Sequence, residues 1–142
     1  MLHDNFKMTG HLSIAINNEV VQEVPNLVVT DGKEYVASRM KDTTKSAMSH
    51  MGVGTGSAAA IASNAALGGQ VDRVSLTSTV VSGVTITFLA TFPAGTGTGA
   101  ITEAGLFNGA STGGDMLCRT VFPVVNKSEN DSMSVSWQVS VS

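Results

Sequence analysis

Apolar and polar residues alternate with a period of two along much of the chain. The C-terminal segment shows it most clearly: Met133, Val135, Trp137, Val139 and Val141 alternate with Ser132, Ser134, Ser136, Gln138 and Ser140. Successive side chains on a strand point to opposite faces. This pattern therefore predicts five apolar groups on a core face and short neutral groups on the other. A second strand runs through Val84, Ile86, Phe88, Ala90 and Phe92, with Thr85, Thr87 and Thr91 facing away. Leu12, Ile14 and Ile16 mark a third. The segment Glu19 to Val24 is predicted to pair with it across Asn17-Asn18, since asparagine tolerates the left-handed backbone of a two-residue hairpin turn. Further strands are predicted at about 47–53, 71–79, 100–108 and 115–124. Turn residues at Ser82-Gly83, Pro93 to Gly99, Gly109 to Gly114 and Asn126 to Asp131 link them.

One segment follows helical spacing instead. Asp31 is placed to cap a helix, Glu34 stands three residues on as in a capping box, and Tyr35, Val36, Arg39 and Met40 continue the period. A helix is predicted at about 32–41. The alanine-rich stretch Ser57 to Leu67 suits a short second helix or a mobile loop equally well, since Gly54, Gly56 and Gly68-Gly69 flank it. About eight strands with closely spaced turns predict a mainly β fold, an antiparallel β-sandwich or jelly-roll-like barrel with one short helix. Residues 1–142 read as one domain, with an N-terminal arm over about residues 1–9.

Composition narrows the function classes. Charged residues make up 13% of the chain, about half the ~25% usual for soluble domains. Serine and threonine fill the gap, with 31 of 142 residues. The formal net charge of -3 argues against a nucleic-acid partner, which calls for a dense Lys/Arg surface. No apolar run approaches the ~18 residues of a membrane span. The Met-Leu-His-Asp-Asn-Phe-Lys start lacks the pattern of a signal peptide. Cys118 is the single cysteine, so no internal disulfide forms, which fits a reducing compartment.

The candidate chemical motifs fall short of a site. Gly109-Ala110-Ser111-Thr112-Gly113 matches G-x-S-x-G, but it sits between two predicted strands, and His3, His11 and His50 all precede the serine. A hairpin loop is the expected reading. Gly52-Val53-Gly54-Thr55-Gly56 and Gly95-Thr96-Gly97-Thr98-Gly99 lack the lysine of a phosphate loop and the third glycine of a dinucleotide fingerprint. The histidines and Cys118 show no metal-ligand spacing. Glu103 stands inside an apolar strand and is expected to pair with Arg73 or Arg119, or to accept backbone N–H groups. Two sequons, at Asn126 and Asn130, carry meaning only on secretion. No catalytic residue, cofactor or metal is expected.

Several of these same segments carry a family resemblance. They are Asn26 to Lys33, Met48 to Gly56, Ala66 to Gly68, Val71 to Val74, Phe92 to Gly97, Ile101 to Asn108 and Gly114 to Phe122. Taken in order, they resemble small structural proteins of tailed-bacteriophage virions, over about residues 24–137. The Ile-Thr-Glu-Ala-Gly-Leu-Phe run and the Gly-x-Gly-x-Gly turn before it are the most specific parts. The resemblance implies a non-enzymatic virion protein, assembled in the bacterial host cytoplasm. A capsid decoration or cement protein that ties neighbouring subunits together is the first expectation. A tail collar, baseplate or fibre-anchoring adaptor is the alternative. Its expected partners are the major capsid protein or tail and collar proteins, together with further copies of itself, a trimer suiting local threefold positions. The N-terminal arm is expected to lie on a neighbouring subunit. A sugar-binding module is a remote alternative, with Trp137 and Tyr35 as the only aromatic platforms, both expected in the core.

Overall fold

The computed structural model describes residues 6–41, 45–111 and 114–142. Among these residues nine strands form one antiparallel sheet: β1 (Met8–Ile16), β2 (Glu19–Val28), β3 (His50–Gly54), β4 (Gln70–Ser75), β5 (Ser78–Ser82), β6 (Thr85–Phe92), β7 (Gly99–Phe107), β8 (Met116–Lys127) and β9 (Met133–Val141). The order across the sheet is β4-β3-β7-β8-β2-β1-β9-β6-β5. Among the described residues one helix, α1 (Thr30–Lys41), follows β2. The sheet curls into two packed halves, so the mainly β, sandwich- or barrel-like fold predicted from the alternation is the fold of the chain.

Two segments make the curl by changing partners along their length. β2 pairs with β1 as far as Asn26, then Leu27 and Val28 pair with Arg119 and Cys118 of β8. Pro25 sits at this hand-over, in a strand position where a missing N–H is tolerated. The predicted strand at 71–79 is likewise two strands. β4 pairs with β3, and β5 pairs with β6. Between them Leu76 donates its N–H to the Ser49 carbonyl, while Thr77 donates to Leu89 on the opposite half. One alternating run in sequence therefore serves both halves.

The core lies between the halves. Leu12, Phe88, Phe92, Val135 and Trp137 meet Met51, Val53, Ile101, Leu106 and Phe122 in one buried cluster. β9 keeps the predicted alternation, with Met133, Val135, Trp137 and Val139 buried and Ser134, Ser136 and Gln138 facing outward. The Asn17-Asn18 turn forms as predicted, with φ of 50° and 70°. Asn17 also accepts the Ser132 N–H and donates to Asp131, fastening this hairpin to the start of β9.

β1 starts at Met8, earlier than its apolar pattern suggests, and pairs with β9 from Met8↔Val141 onward. Lys7 and Ser142 exchange backbone hydrogen bonds at 2.7 and 2.8 Å. Residues 7–9 of the expected arm therefore belong to the ladder or extend it, and residues 1–5 lie outside the described residues.

The helix begins at Thr30, and Asp31 does not cap it. Its carboxylate accepts the N–H of Met116, tying the first turn of α1 to the start of β8. Gly32 allows that closeness: a Cβ there would lie 2.8 Å from the Leu117 Cα and closer still to its carbonyl oxygen. Gly32→Ala should therefore destabilise the fold by about 1–3 kcal/mol through overpacking. Alanine's better helix propensity, about 1 kcal/mol, works against this and does not cancel it. Thermal unfolding followed by circular dichroism measures the drop.

Candidate functional site

The densest polar cluster lies where four of the resembling segments meet. β7 alternates so that Ala104 and Leu106 enter the core, while Glu103 and Gly105 take the opposite face of the half-sheet. Glu103 is nevertheless fully buried, because residues 55–69 fold over that face as an additional layer. Leu67 from this layer packs on Val29, Phe107 and Met116, a second small apolar cluster outside the main core. Gly105 makes room for it, since a Cβ there would sit 3.1 Å from Leu67.

The carboxylate is saturated with donors. Oε2 accepts the N–H groups of Gly56 and Gly69, each at 2.7 Å. Oε1 accepts the Gly68 N–H at 2.8 Å and both Nε and Nη2 of Arg119, at 3.1 and 3.0 Å. Burial is the largest influence on this group and pushes its pKa up. The N–H groups of Gly68, Gly69 and Gly56 and the Arg119 guanidinium together outweigh it and hold the carboxyl below its ordinary value. Arg119, itself 2% exposed, spends its remaining donors on the layer above: Nη1 on Asn64 Oδ1 and Nη2 on the Ala58 carbonyl, both at 3.0 Å. Thr102 Oγ1 donates to the Gly56 carbonyl, and Thr55 N–H to Gly69.

This cluster answers two readings at once. Of the two partners expected for Glu103, Arg119 is the one it has. Arg73 instead stacks 3.5 Å over the Phe107 ring and bonds Gln70 and the Gly109 carbonyl. Of the two readings of the alanine-rich segment, a short helix or a loop, it forms the loop. Its flanking N–H groups converge on a carboxylate, which a continuous helix would prevent. The Gly52–Gly56 run resembles a phosphate loop for a physical reason. Converging backbone N–H groups make an anion cradle; Gly56 supplies one of them and Gly68-Gly69 the other two, and the chain's own Glu103 fills it. A Cβ on Gly54 would stand 2.6 Å from Glu103 Oε2.

The other candidates are scattered. His11 is exposed on β1. His50 is half-buried between two hydroxyls, with Ser49 Oγ at 2.7 Å from Nδ1 and Ser75 Oγ at 3.3 Å from Nε2. Cys118 is fully buried, and burial pushes its thiol pKa well up. Among the described residues no three His, Cys, Asp or Glu side chains gather as a metal site. Ser111 is exposed, while Thr112 and Gly113 of the G-x-S-x-G match, like His3, lie outside the described residues. Gly95–Gly99 is a turn, with φ of 83° at Gly95 and 67° at Gly97, closed by Asp72 accepting the Gly97 N–H. Trp137 and Tyr35 are buried, 0% and 7% exposed, so neither offers a sugar platform.

Two features escaped the sequence reading. Lys127 is 2% exposed and donates to the Pro93 carbonyl, although its neighbours in sequence read as a turn. Asn26, at the β2 hand-over, has both carboxamide atoms buried without a protein partner, beside an open cleft lined also by Ser57, Arg119 and Thr120. Only the paired glycines at both ends of the alanine-rich stretch hinted at a pinned layer. No family model matches the chain, and no curated protein or solved structure matches it.

Proposed function

We propose that this chain is a non-enzymatic structural component of a tailed-phage virion, a decoration or cement protein that binds neighbouring capsid subunits and stabilises the head. One observation supports the reading most. Four of the resembling segments, Met48 to Gly56, Ala66 to Gly68, Ile101 to Asn108 and Gly114 to Phe122, meet at Glu103, where they fix a surface layer in place and leave no acceptor of that carboxylate free for a substrate. Residue types that attract a catalytic reading are spent on rigidity. A protein that holds a lattice works by presenting a fixed surface many times over, so that modest contacts add through high effective concentration.

The outer face of the β1-β9-β6 half-sheet suits such a role. Thr9, Ser13, Ser134, Ser136, Ser140, Thr85 and Thr87 share it, and Thr85 Oγ1 bonds Ser140 Oγ at 2.8 Å. Short hydroxyl side chains hydrogen-bond across an interface at far smaller desolvation cost than charged groups. Electron cryo-microscopy of intact particles tests the proposal. Density for this protein is expected over the whole head. Density confined to the neck or tail would replace the cement reading with the collar or fibre-anchoring adaptor, and its absence from particles would overturn both.

A further inference from the structure

The two edges of the curled sheet are built differently. β4 carries Asp72 and Arg73, and both are engaged, Asp72 with the Gly97 N–H and Arg73 on Phe107. β5, Ser-Thr-Val-Val-Ser, carries no charge, no proline and no bulge, and all five residues are exposed. The uncharged run extends from Val74 to Thr102, 29 residues without Asp, Glu, Lys or Arg. Natural sheets blunt exposed edges with the devices missing here. Val80 and Val81 are 57% and 70% exposed, and Val84 in the adjoining turn is 68% exposed, although its place in the alternation predicts a core residue.

The backbone says what fits this edge. In an antiparallel ladder the N–H and C=O of one residue point to the same side, and sides alternate along the strand. The two-residue turn at Gly83-Val84 makes Ser82 and Thr85 the closing pair of the hairpin. Ser78, Val80 and Ser82 therefore address β6, and Thr79 and Val81 turn their N–H and C=O outward. A ligand for this edge is another strand, and the sequence of β5 is its own complement. Two antiparallel copies centred on Val80 place Thr79 of each opposite Val81 of the other, and Ser78 opposite Ser82. Both outward residues of both copies then exchange their hydrogen bonds, with the two Val80 side chains in contact at the axis.

We infer that β5 is a homotypic docking edge, through which two copies of this chain pair about a twofold axis and join their half-sheets into one continuous sheet. Such an interface is isologous and closes at two copies, so a ring of three requires a different surface. The absence of charge over the whole β5–β6 hairpin lets two copies of a net-negative protein approach there without like-charge repulsion. The inference stands independently of the virion proposal.

Sedimentation velocity of the full chain at about 1 to 500 μM, a range suited to a small interface, tests it. A concentration-dependent monomer–dimer equilibrium is expected. Val80→Lys sets two ammonium groups side by side at the axis and should weaken the dimer at least roughly tenfold. Val124→Lys, at an equally exposed valine on β8, should leave it unchanged. Val80→Cys should give a covalent dimer on mild oxidation, since facing Cβ atoms in a non-hydrogen-bonded pair are close enough to bridge, and buried Cys118 does not compete. Circular dichroism confirms that each variant is folded. A chain monomeric throughout, or an oligomer of any size unmoved by Val80→Lys, overturns the inference.

Discussion

Glu103→Gln is expected to lower the stability of this protein by about 3–5 kcal/mol, because it leaves a buried guanidinium without its counter-charge. Arg119 is 2% exposed and has no other anion in reach among its bonds, which otherwise end on Asn64 Oδ1 and the Ala58 carbonyl. The glutamine amide adds a second penalty. Its NH2 group must face at least one N–H of Gly56, Gly68 or Gly69, donor against donor. The melting temperature should fall by roughly 10–17 °C for a chain of this size. Residues 55–69 should lose amide-exchange protection before the rest of the sheet does. The pH dependence separates charge from packing. The native carboxyl titrates below its ordinary value, so as the solution is acidified the unfolded chain binds the proton first. The contribution of Glu103 is thus complete above about pH 4.5 and is lost as pH falls through the native value. Stability of the unsubstituted chain should fall more steeply in acid than that of Glu103→Gln. Equal acid slopes would show that this carboxylate carries no linked charge.

Trp137→Ala is expected to cost about 3–5 kcal/mol, at the upper end for a core truncation. Trp137 is fully buried in the middle of its half-sheet, with Leu12 and Phe88 opposite it on the two neighbouring strands. Both neighbouring ladders hold the backbone in place, so little collapse into the space is available. Trp137→Phe should be much milder. It removes less volume, and it deletes an indole N–H that is buried without an acceptor. Chemical denaturation of the three proteins gives the comparison. Trp137 is the sole tryptophan, so its fluorescence should be blue-shifted in the folded protein and move to the red in one cooperative step.

The fold was legible where one face of a strand meets one core. β9 and the β1–β2 hairpin follow their alternation because every second residue enters the same cluster. Legibility failed where a segment changes partners. Residues 71–79 read as one strand, yet the ladder passes from one half-sheet to the other between Leu76 and Thr77. Asp31 failed as a cap for a related reason. Its carboxylate has two classes of N–H donor available, and the β8 donor exists only once the sheet has formed. The site was half legible. A carboxylate in an apolar strand demands partners, and Arg119 was one of the two named. The three glycine N–H groups come from positions 34 to 47 residues away in sequence, and no local pattern ties them to Glu103.

The Lys7–Ser142 pairing has a mechanical consequence. β1 and β9 are antiparallel neighbours, and their outer ends lie side by side at Met8↔Val141. A load applied between Lys7 and Ser142 pulls across that ladder, at right angles to the strands. The cross-strand bonds then open one after another, as in a zip, and never share the force. Tension between Met8 of β1 and Met133 of β9, at opposite ends of the same ladder, would instead shear its bonds all at once. This ladder should therefore be soft when pulled at Lys7 and Ser142 and stiff when sheared along its strands.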